Sequence, residues 1–285
     1  MKPLAEADRE STDDAAGAQS VERATALLLL LARYRSNGAS LRDVVADSGL
    51  KQPTARRLLL ALMRTGLVEQ DMETRRYLLG PACYVLGTLA GERFGIHAMA
   101  VEGLVALAQG SGDNAFLTLR NGTHGVCVHR QEGSYPIRSH VLSAGDRHPL
   151  LVGAGNLAIL AALPDDEIAF IIATHGAACF ARYPNLTRAH LDAGIVEARE
   201  RGFCVNRGAI FPGSWGIGSV VRDDTGAPVA ALSIAAIESR LDAARQDVLG
   251  TALLKEAQAL EARMAALVTP PAAHSARRGP PASRT

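Results

Sequence analysis

The stretch Ser40 to Gly80 reads SLRDVVADSGLKQPTARRLLLALMRTGLVEQDMETRRYLLG. Ser40 stands three residues ahead of Asp43, so its hydroxyl can cap a helix start while the acid favours the positive end of the helix dipole. Leu41, Val44 and Val45 recur at helical spacing and face a small core. Gly49 supplies a turn where a positive φ is cheap, and Leu50 buries itself just beyond it. A second helix opens at Lys51, Gln52, Pro53 and Thr54, with the proline at a first-turn position. Its apolar side is Leu58, Leu59, Leu62 and Met63, and its polar side leads with Gln52, Thr54, Ala55, Arg56 and Arg57. Gly66, Leu67 and Val68, then Tyr77, Leu78 and Leu79, predict a two-stranded wing whose tip carries Arg75 and Arg76. Arginines on a helix are ordinarily a solvated face, and helix pairs with a glycine turn occur in many proteins that never meet DNA. The complete order here (helix, glycine turn, polar-fronted helix, basic-tipped hairpin) is what a winged helix-turn-helix offers to a major groove. Lys51, Gln52, Thr54, Arg56, Arg57, Arg75 and Arg76 are the candidate contacts to double-stranded DNA.

Composition supports a division of labour. The 285 residues carry a formal charge of +1, which selects no partner. Between Val21 and Gly80, however, ten Lys/Arg face six Asp/Glu, whereas between Pro81 and Val268 fifteen face eighteen. The surplus sits on the segment proposed to meet phosphates, where each neutralised charge releases counterions. A hydrophobic fraction of 48% is ample for a real core. The apolar run Ala24 to Ala32 is far shorter than the roughly 20 residues of a membrane span, and no stretch resembles a signal peptide. Both observations point to the cytoplasm and to no membrane partner. Cys83, Cys127, Cys179 and Cys204 are dispersed without a C-x-x-C pair, as reduced thiols would be. The eight histidines show no metal-ligand spacing, so neither a metal nor another cofactor is expected. Residues 1–19 and 269–285 lack periodicity and are expected to be disordered tails.

Between the tails, Val21 to Tyr34 predicts a helix packing under the helix-turn-helix, which closes a DNA-binding domain over residues 20–80. Pro81 to Arg93 predicts a linker helix, interrupted near Gly95, within a segment 81–96. Over residues 97–268 the pattern alternates. A helix at Ala98–Ala108 precedes strands at Ala115–Arg120, Gly125–Arg130 and Ile137–Leu142, the first two joined by an Asn121-Gly122 hairpin turn. Helices follow at Gly155–Ala162, Asp165–Thr174 and Thr187–Glu200. Strands return at Phe203–Asn206, Ile217–Arg222 and Val229–Ile237, before a last helix from Ser239 to about Leu267. This is an α+β chain whose larger domain holds one central antiparallel sheet.

Specific landmarks now accumulate: Ser20 to Ala24, Ser48-Gly49-Leu50, Thr54 through Leu62, and Tyr77-Leu78-Leu79-Gly80. Gly145, Pro149-Leu150, Gly153-Ala154-Gly155, Leu160-Ala161 and Leu163-Pro164 follow, and then Arg199, Gly202-Phe203, Gly213 and the hairpin Gly226–Ser233. In this order, across residues 20 to about 268, the chain resembles the IclR family of bacterial transcriptional regulators. The resemblance implies a winged helix-turn-helix, a linker helix and a GAF-like effector domain. It also implies self-association to dimers or tetramers on operator DNA, and control by a small-molecule effector.

Gly153, Ala154 and Gly155 place unblocked N–H groups at a helix start, which attracts carboxylates. The family resemblance implies effector contacts at Gly153–Gly155, Asn206, Gly216, Ser233 and Ala235. The chain departs from the family pattern at Asn206, where aspartate is common, at Ala209, where glutamate is common, and at Ala235, where a second serine is common. Val220 replaces a frequent proline. The pocket is therefore less acidic and less polar than usual, and the expected ligand is a small carboxylate with an apolar or aromatic body. Arg138, His129, His148 and Trp215 are further candidates. The plainer alternatives are glycines that ease helix–sheet packing, a Ser233 bonded to its own backbone, structural histidines and a core tryptophan. Two other functions are alternatives. A DNA-binding protein of this fold without an effector would not need a helix-capped cavity. A hydrolytic enzyme would need a nucleophile with a base in reach; Cys127, His129 and Asp146 could be imagined so, but no H-E-x-x-H, G-x-S-x-G or phosphate-loop motif is present, and no catalytic residue is assigned.

Overall fold

The computed structural model describes residues 7–93, 95–137 and 142–268. The chain divides into two compact units. One comprises Met1–Ala98 with Val126–Arg130 and His140–Arg147, and the other comprises Met99–Gly125, Gln131–Ser139 and His148–Thr285.

In the first unit, helix α1 (Ala7–Tyr34) packs on α2 (Leu41–Ser48) and α3 (Gln52–Arg64), and strands β1 (Val68–Gln70) and β2 (Tyr77–Leu79) form the wing before α4 (Pro81–Arg93). The core is Leu27, Leu30, Leu31, Val44, Ala55, Leu58, Leu59, Leu62, Val68 and Tyr77. The start of α2 is a capping box. Ser40 Oγ accepts from the Asp43 amide at 3.2 Å, and the Asp43 carboxylate accepts from the Ser40 amide at 2.9 Å. The Ser40 amide, and after it the Ser40 hydroxyl, hold the Asp43 carboxyl below its ordinary range. Gly49 ends the helix with φ +66, a conformation glycine adopts without strain. The wing pairs Val68 with Leu79 and Gln70 with Tyr77, and Ala39 adds a bridge to Tyr77.

Three expectations for this unit need correction. Residues 7–19, read as part of a disordered tail, continue α1 toward the N-terminus. No proline interrupts them and they are rich in alanine, the strongest helix former; residues 1–6 lie outside the described residues. Ala55, placed on the polar face of the second helix, is fully buried in the core, because position four of a helix returns to the side of Leu58 and Leu59. Leu50 packs against the core but is only half-buried.

The chain continues with α5 (Ile96–Ser111), strand β3 (Asn114–Asn121), strand β4 (His124–Gln131), strand β5 (Arg147–Pro149), α6 (Ala154–Ala161), α7 (Asp165–Arg182), α8 (Arg188–Arg201), β6 (Phe203–Phe211), β7 (Ser214–Arg222), β8 (Pro228–Ile237) and α9 (Ala243–Val268). The strand order is β5-β4-β3-β8-β7-β6. Of the expected elements, the strand at 137–142 falls mostly outside the described residues, as does the tail 269–285. The loop before α6 instead contains β5. Helix α7 runs eight residues beyond the expected end. Helix α9 begins at Ala243, after a single 3₁₀ turn at Glu238–Arg240. Every residue of α6 is buried, as befits a helix apolar all round. On the other face of the sheet α9 comes close: a Cβ on Gly250 would overlap the Phe203 ring. Asp113, almost wholly buried, is held by Arg240 at 3.0 Å and Arg245 at 3.1 Å.

Ser40→Ala removes one half of the capping box and should cost about 1 kcal/mol of stability. Chemical denaturation of wild type and variant checks this, with the midpoint of the first unit moving down.

Candidate functional sites

In the first unit, helix α3 turns Ala55, Leu58, Leu59 and Leu62 inward, which leaves Lys51, Gln52, Arg56 and Arg57 exposed and Thr54 half-exposed. Its start has no side-chain cap, so the first amides of the helix are open to an anion. Among the described residues, the side chains of Lys51, Gln52, Thr54, Arg56, Arg57 and Arg75 make no hydrogen bond or ion pair. Arg76 differs. Its guanidinium donates to the Gly38 carbonyl at 2.9 Å and stands 3.5 Å from the Asp43 carboxylate. It braces the wing against the capping box of α2. The wing turn itself is fixed by Asp71, whose carboxylate accepts from the Glu73 amide (3.1 Å) and from the Thr74 amide (2.6 Å) and hydroxyl (2.7 Å). Arg75 follows with φ +58, unusual for a residue with a side chain, and its carbonyl accepts from Gln70 Nε2.

In the second unit the site is built around the start of α6. Gly153 has φ +93 and ψ 159, a region only glycine enters without strain. The helix has no side-chain cap, and its first internal bond runs from the Leu157 amide to the Gly153 carbonyl. The amides of Ala154, Gly155 and Asn156 are therefore not used inside the helix. The sheet beneath is in register: Asn206 lies opposite Gly216, Gly216 opposite Ala235 and Ala235 opposite Asn114. The next row of the same face is Cys204, Gly218, Ser233 and Phe116. Helix α6 packs directly onto this face. A Cβ on Gly216 would lie 3.2 Å from the Ala154 Cβ, and one on Gly218 would lie 2.7 Å from the Ala154 carbonyl oxygen. That oxygen also accepts from the buried Cys204 thiol at 3.4 Å. A Cβ on Gly155 would lie 3.2 Å from Ser233 Oγ and 3.4 Å from Thr118 Oγ1.

Gly153, Ala154, Gly155, Gly216 and Ser233 thus come together, with Asn206 and Ala235 in the same row of the sheet. Asn206 Oδ1 accepts from the Ala209 amide at 3.0 Å, across a bulge between Asn206 and Phe211, and Ala209 is buried in the core. Trp215 neighbours Gly216 in the strand, so alternation directs it to the opposite face; its indole Nε1 stands 3.5 Å from where a Gly208 Cβ would be. His129 belongs to the first unit, where its Nδ1 shares a hydrogen bond with His97 Nε2 at 3.1 Å. Arg138 lies outside the described residues. His148 is half-buried on β5. Sequence reading missed Thr118, which gave no signal beyond a threonine in a strand of alternating pattern. A separate cavity of about 350 Å³ lies past the other end of α6, against Ala162, Arg199, Val220 and Leu254. Its basic group is engaged, since Arg199 donates to the carbonyls of Ala161 and Leu163.

The imagined nucleophile is not assembled. Cys127 is buried, its thiol is pushed up to about 12 by desolvation and then by Asp146, and it donates to the His129 carbonyl, not to the ring. It stays protonated at neutral pH. Among the described residues no three His, Cys, Asp or Glu side chains gather as a metal ion would require, and no helix is long and apolar enough to cross a membrane.

The chain resembles known proteins in sequence and fold. The HTH-type transcriptional repressor AllR of Salmonella paratyphi A is 28% identical over 225 residues, which cover 79% of this chain and 82% of that protein. The IclR transcriptional regulator of Alicyclobacillus acidocaldarius has a TM-score of 0.68 at 24% identity, covering 86% of this chain and 98% of that one. An IclR homologue from Microbacterium hydrocarbonoxydans, solved with 4-hydroxybenzoate, has a TM-score of 0.67 at 15% identity and covers 86% and 98%; at that identity the likeness is one of fold. Residues 20–72 match the IclR helix-turn-helix domain, and residues 89–262 match the bacterial transcriptional regulator IclR C-terminal domain. The chain belongs to the IclR family of bacterial transcriptional regulators.

Proposed function

We propose that this regulator is a cytoplasmic repressor that binds operator DNA through α3 and the wing as a symmetric dimer or tetramer, and that a small carboxylate at the start of α6 changes that binding. The observation that carries the DNA half is the row of exposed donors on α3 with no partner inside the protein. Such groups keep their hydrogen-bonding capacity for phosphates and base edges. Lys51, Gln52, Thr54, Arg56, Arg57 and Arg75 are assigned this contact, and Arg76 is assigned the bracing of the wing. The similarity to AllR repressors supports the sign of regulation. The carboxylate half rests on the uncapped α6 amides beside Ser233, and the 4-hydroxybenzoate bound by the Microbacterium homologue supports the ligand class. The neutral Asn206 and Ala209 leave no carboxylate at these two positions to repel such a ligand.

Self-association follows from the surface of the first unit. Tyr84, Val85, Leu86 and Leu89 on α4, with Leu29 on α1, are large apolar side chains left exposed. One winged helix also reads too few base pairs for specificity, and a two-fold dimer doubles the site. Light scattering at micromolar concentration should give at least twice the 30.0 kDa chain mass, and half-sites should be spaced by about 10 bp or its multiples; a single-chain mass would remove this part of the reading.

Arg56→Ala or Arg57→Ala should cost about 1–3 kcal/mol at the preferred operator if the side chain pairs with a base. Arg75→Ala should weaken all sequences alike and flatten the salt dependence by about one unit. Arg76→Ala should lower the thermal midpoint of the first unit instead. Mobility shifts at several salt concentrations separate these outcomes, and wild-type binding by all of the α3 and wing variants would overturn the assignment.

Gly155→Ala places a methyl group 3.2 Å from Ser233 Oγ and 3.4 Å from Thr118 Oγ1. It should abolish the response to a carboxylate effector while leaving operator affinity unchanged. Calorimetry with benzoate-like, aliphatic and sugar acids reads the first effect, and a sugar acid bound alone and insensitive to the substitution would sink the apolar-bodied carboxylate reading.

A further inference from the structure

We infer that Thr118 is a ligand contact of the α6 site and a determinant of its preference for carboxylates, an inference that rests on the effector reading above. Thr118 is 3% exposed and Ser233 is 7% exposed. Among the described residues neither hydroxyl has a hydrogen-bond partner. A buried hydroxyl without a partner is costly, so the arrangement needs something to bond to. Both oxygens converge on one place, 3.4 Å and 3.2 Å from where a Gly155 Cβ would be. The aim of Thr118 is set by packing. Its Cγ2 methyl would come within 2.7 Å of a Cβ on Gly125, so that glycine leaves room for the methyl beside the strand, and the hydroxyl is left toward Gly155. Asn156 Oδ1 is another buried oxygen here without a partner, but it is sealed from water and faces Gly125.

The chemistry selects the ligand group. Two hydroxyl donors beside the uncapped amides of a helix start form a neutral set of donors, with the positive end of the dipole behind it. A carboxylate supplies two acceptor oxygens and fits; an ammonium group could donate to the hydroxyls but would meet the amide donors and the positive end of the dipole, and does not. Ser233 and Thr118 lie on neighbouring strands, β8 and β3, so two oxygens of one carboxylate can engage one hydroxyl each.

The test compares full-length wild type with Thr118→Val, which keeps the shape and removes the hydroxyl, and Thr118→Ser, which keeps the hydroxyl and removes the methyl. Calorimetry uses benzoate, 4-hydroxybenzoate and hexanoate as probes, and thermal midpoints are recorded without ligand. Thr118→Val should bind every acid that wild type binds about tenfold to a hundredfold more weakly, with an unchanged or higher midpoint, because no internal bond is lost. Thr118→Ser should stay within about threefold of wild type, the small change of a retained donor. Wild-type affinity in Thr118→Val would overturn the assignment. So would a clearly lower midpoint in that variant, which would mean that the hydroxyl serves the fold, or an equal loss in Thr118→Ser. A wild-type chain that takes up none of the acids would overturn the carboxylate reading of the site and Thr118's role with it, and the wild-type control distinguishes that failure from the others.

Discussion

The second unit depends on one close approach, that of the first peptide of α6 to strand β7. The Ala154–Gly155 peptide lies over Gly218, where a Cβ would come within 2.7 Å of the Ala154 carbonyl oxygen. Gly216 and Gly218 stand at alternate positions of the strand, so the glycines clear one face only. Because the helix sits so low, Ser233 and Thr118 can reach its first turn, and Cys204 can bond its carbonyl. Lifting α6 by the thickness of one methyl group would separate the hydroxyls from the amides. The same contact explains why α6 is short and buried along its whole length: it is packed into the sheet, with Asn156 tied back to the carbonyls of Pro149 and Val152.

The first unit works by a different division, between charged groups that are used inside the protein and those that are not. Arg76 is taken up by Gly38 and Asp43, and Asp71 by its own turn. Arg56, Arg57 and Arg75 are left over. Polar groups satisfied internally hold the wing at a fixed angle to α2, and the unsatisfied ones can then be presented in a fixed arrangement. Asp43 joins the two roles, since it caps α2 while facing Arg76. Its carboxyl is depressed, so the contribution it makes is present above its unfolded-state pKa and is lost as the pH falls through the folded value.

Much of this was legible in the chain because it is local. The capping box at Ser40 and Asp43, the left-handed glycine at 49 and the hairpin at Asn121-Gly122 depend on residues within a few positions of one another, and each lies where the sequence pattern puts it. What escaped was either local periodicity misread, at Ala55 and Trp215, or dependence on partners distant in the chain. Ala55 looked solvent-facing beside polar neighbours until the turn of the helix placed it on the core. Arg76 and Arg75 are adjacent and alike in sequence, yet only Arg76 finds Gly38, 38 residues away. Trp215 next to Gly216 suggested a shared pocket, but adjacent strand residues face opposite ways. The bulge between Asn206 and Phe211, where Gly208 takes φ +71, carries β6 beyond its expected end. Thr118 could not be singled out either, since only the register of β3 with β8 and the low seat of α6 bring it beside Ser233.

The two hydroxyls also bear on why such a site persists. Sheet positions beneath a buried helix are normally filled by apolar side chains, and Ala231 of β8, on the same face as Ser233, follows that rule. Ser233 breaks it in the middle of the strand, and Thr118 breaks it on the neighbouring one. A hydroxyl that finds no partner costs stability, while an apolar group of the same shape would not. Residues that cost stability in the free protein and sit at a single point of convergence are the expected mark of a place shaped for something outside the fold. The α6 amides add to the same imbalance, because a helix start buried without a cap is itself unsatisfied. Three kinds of unmet donor at one spot are most simply balanced by one acceptor-rich group, and the fold has left that group to be supplied by the ligand.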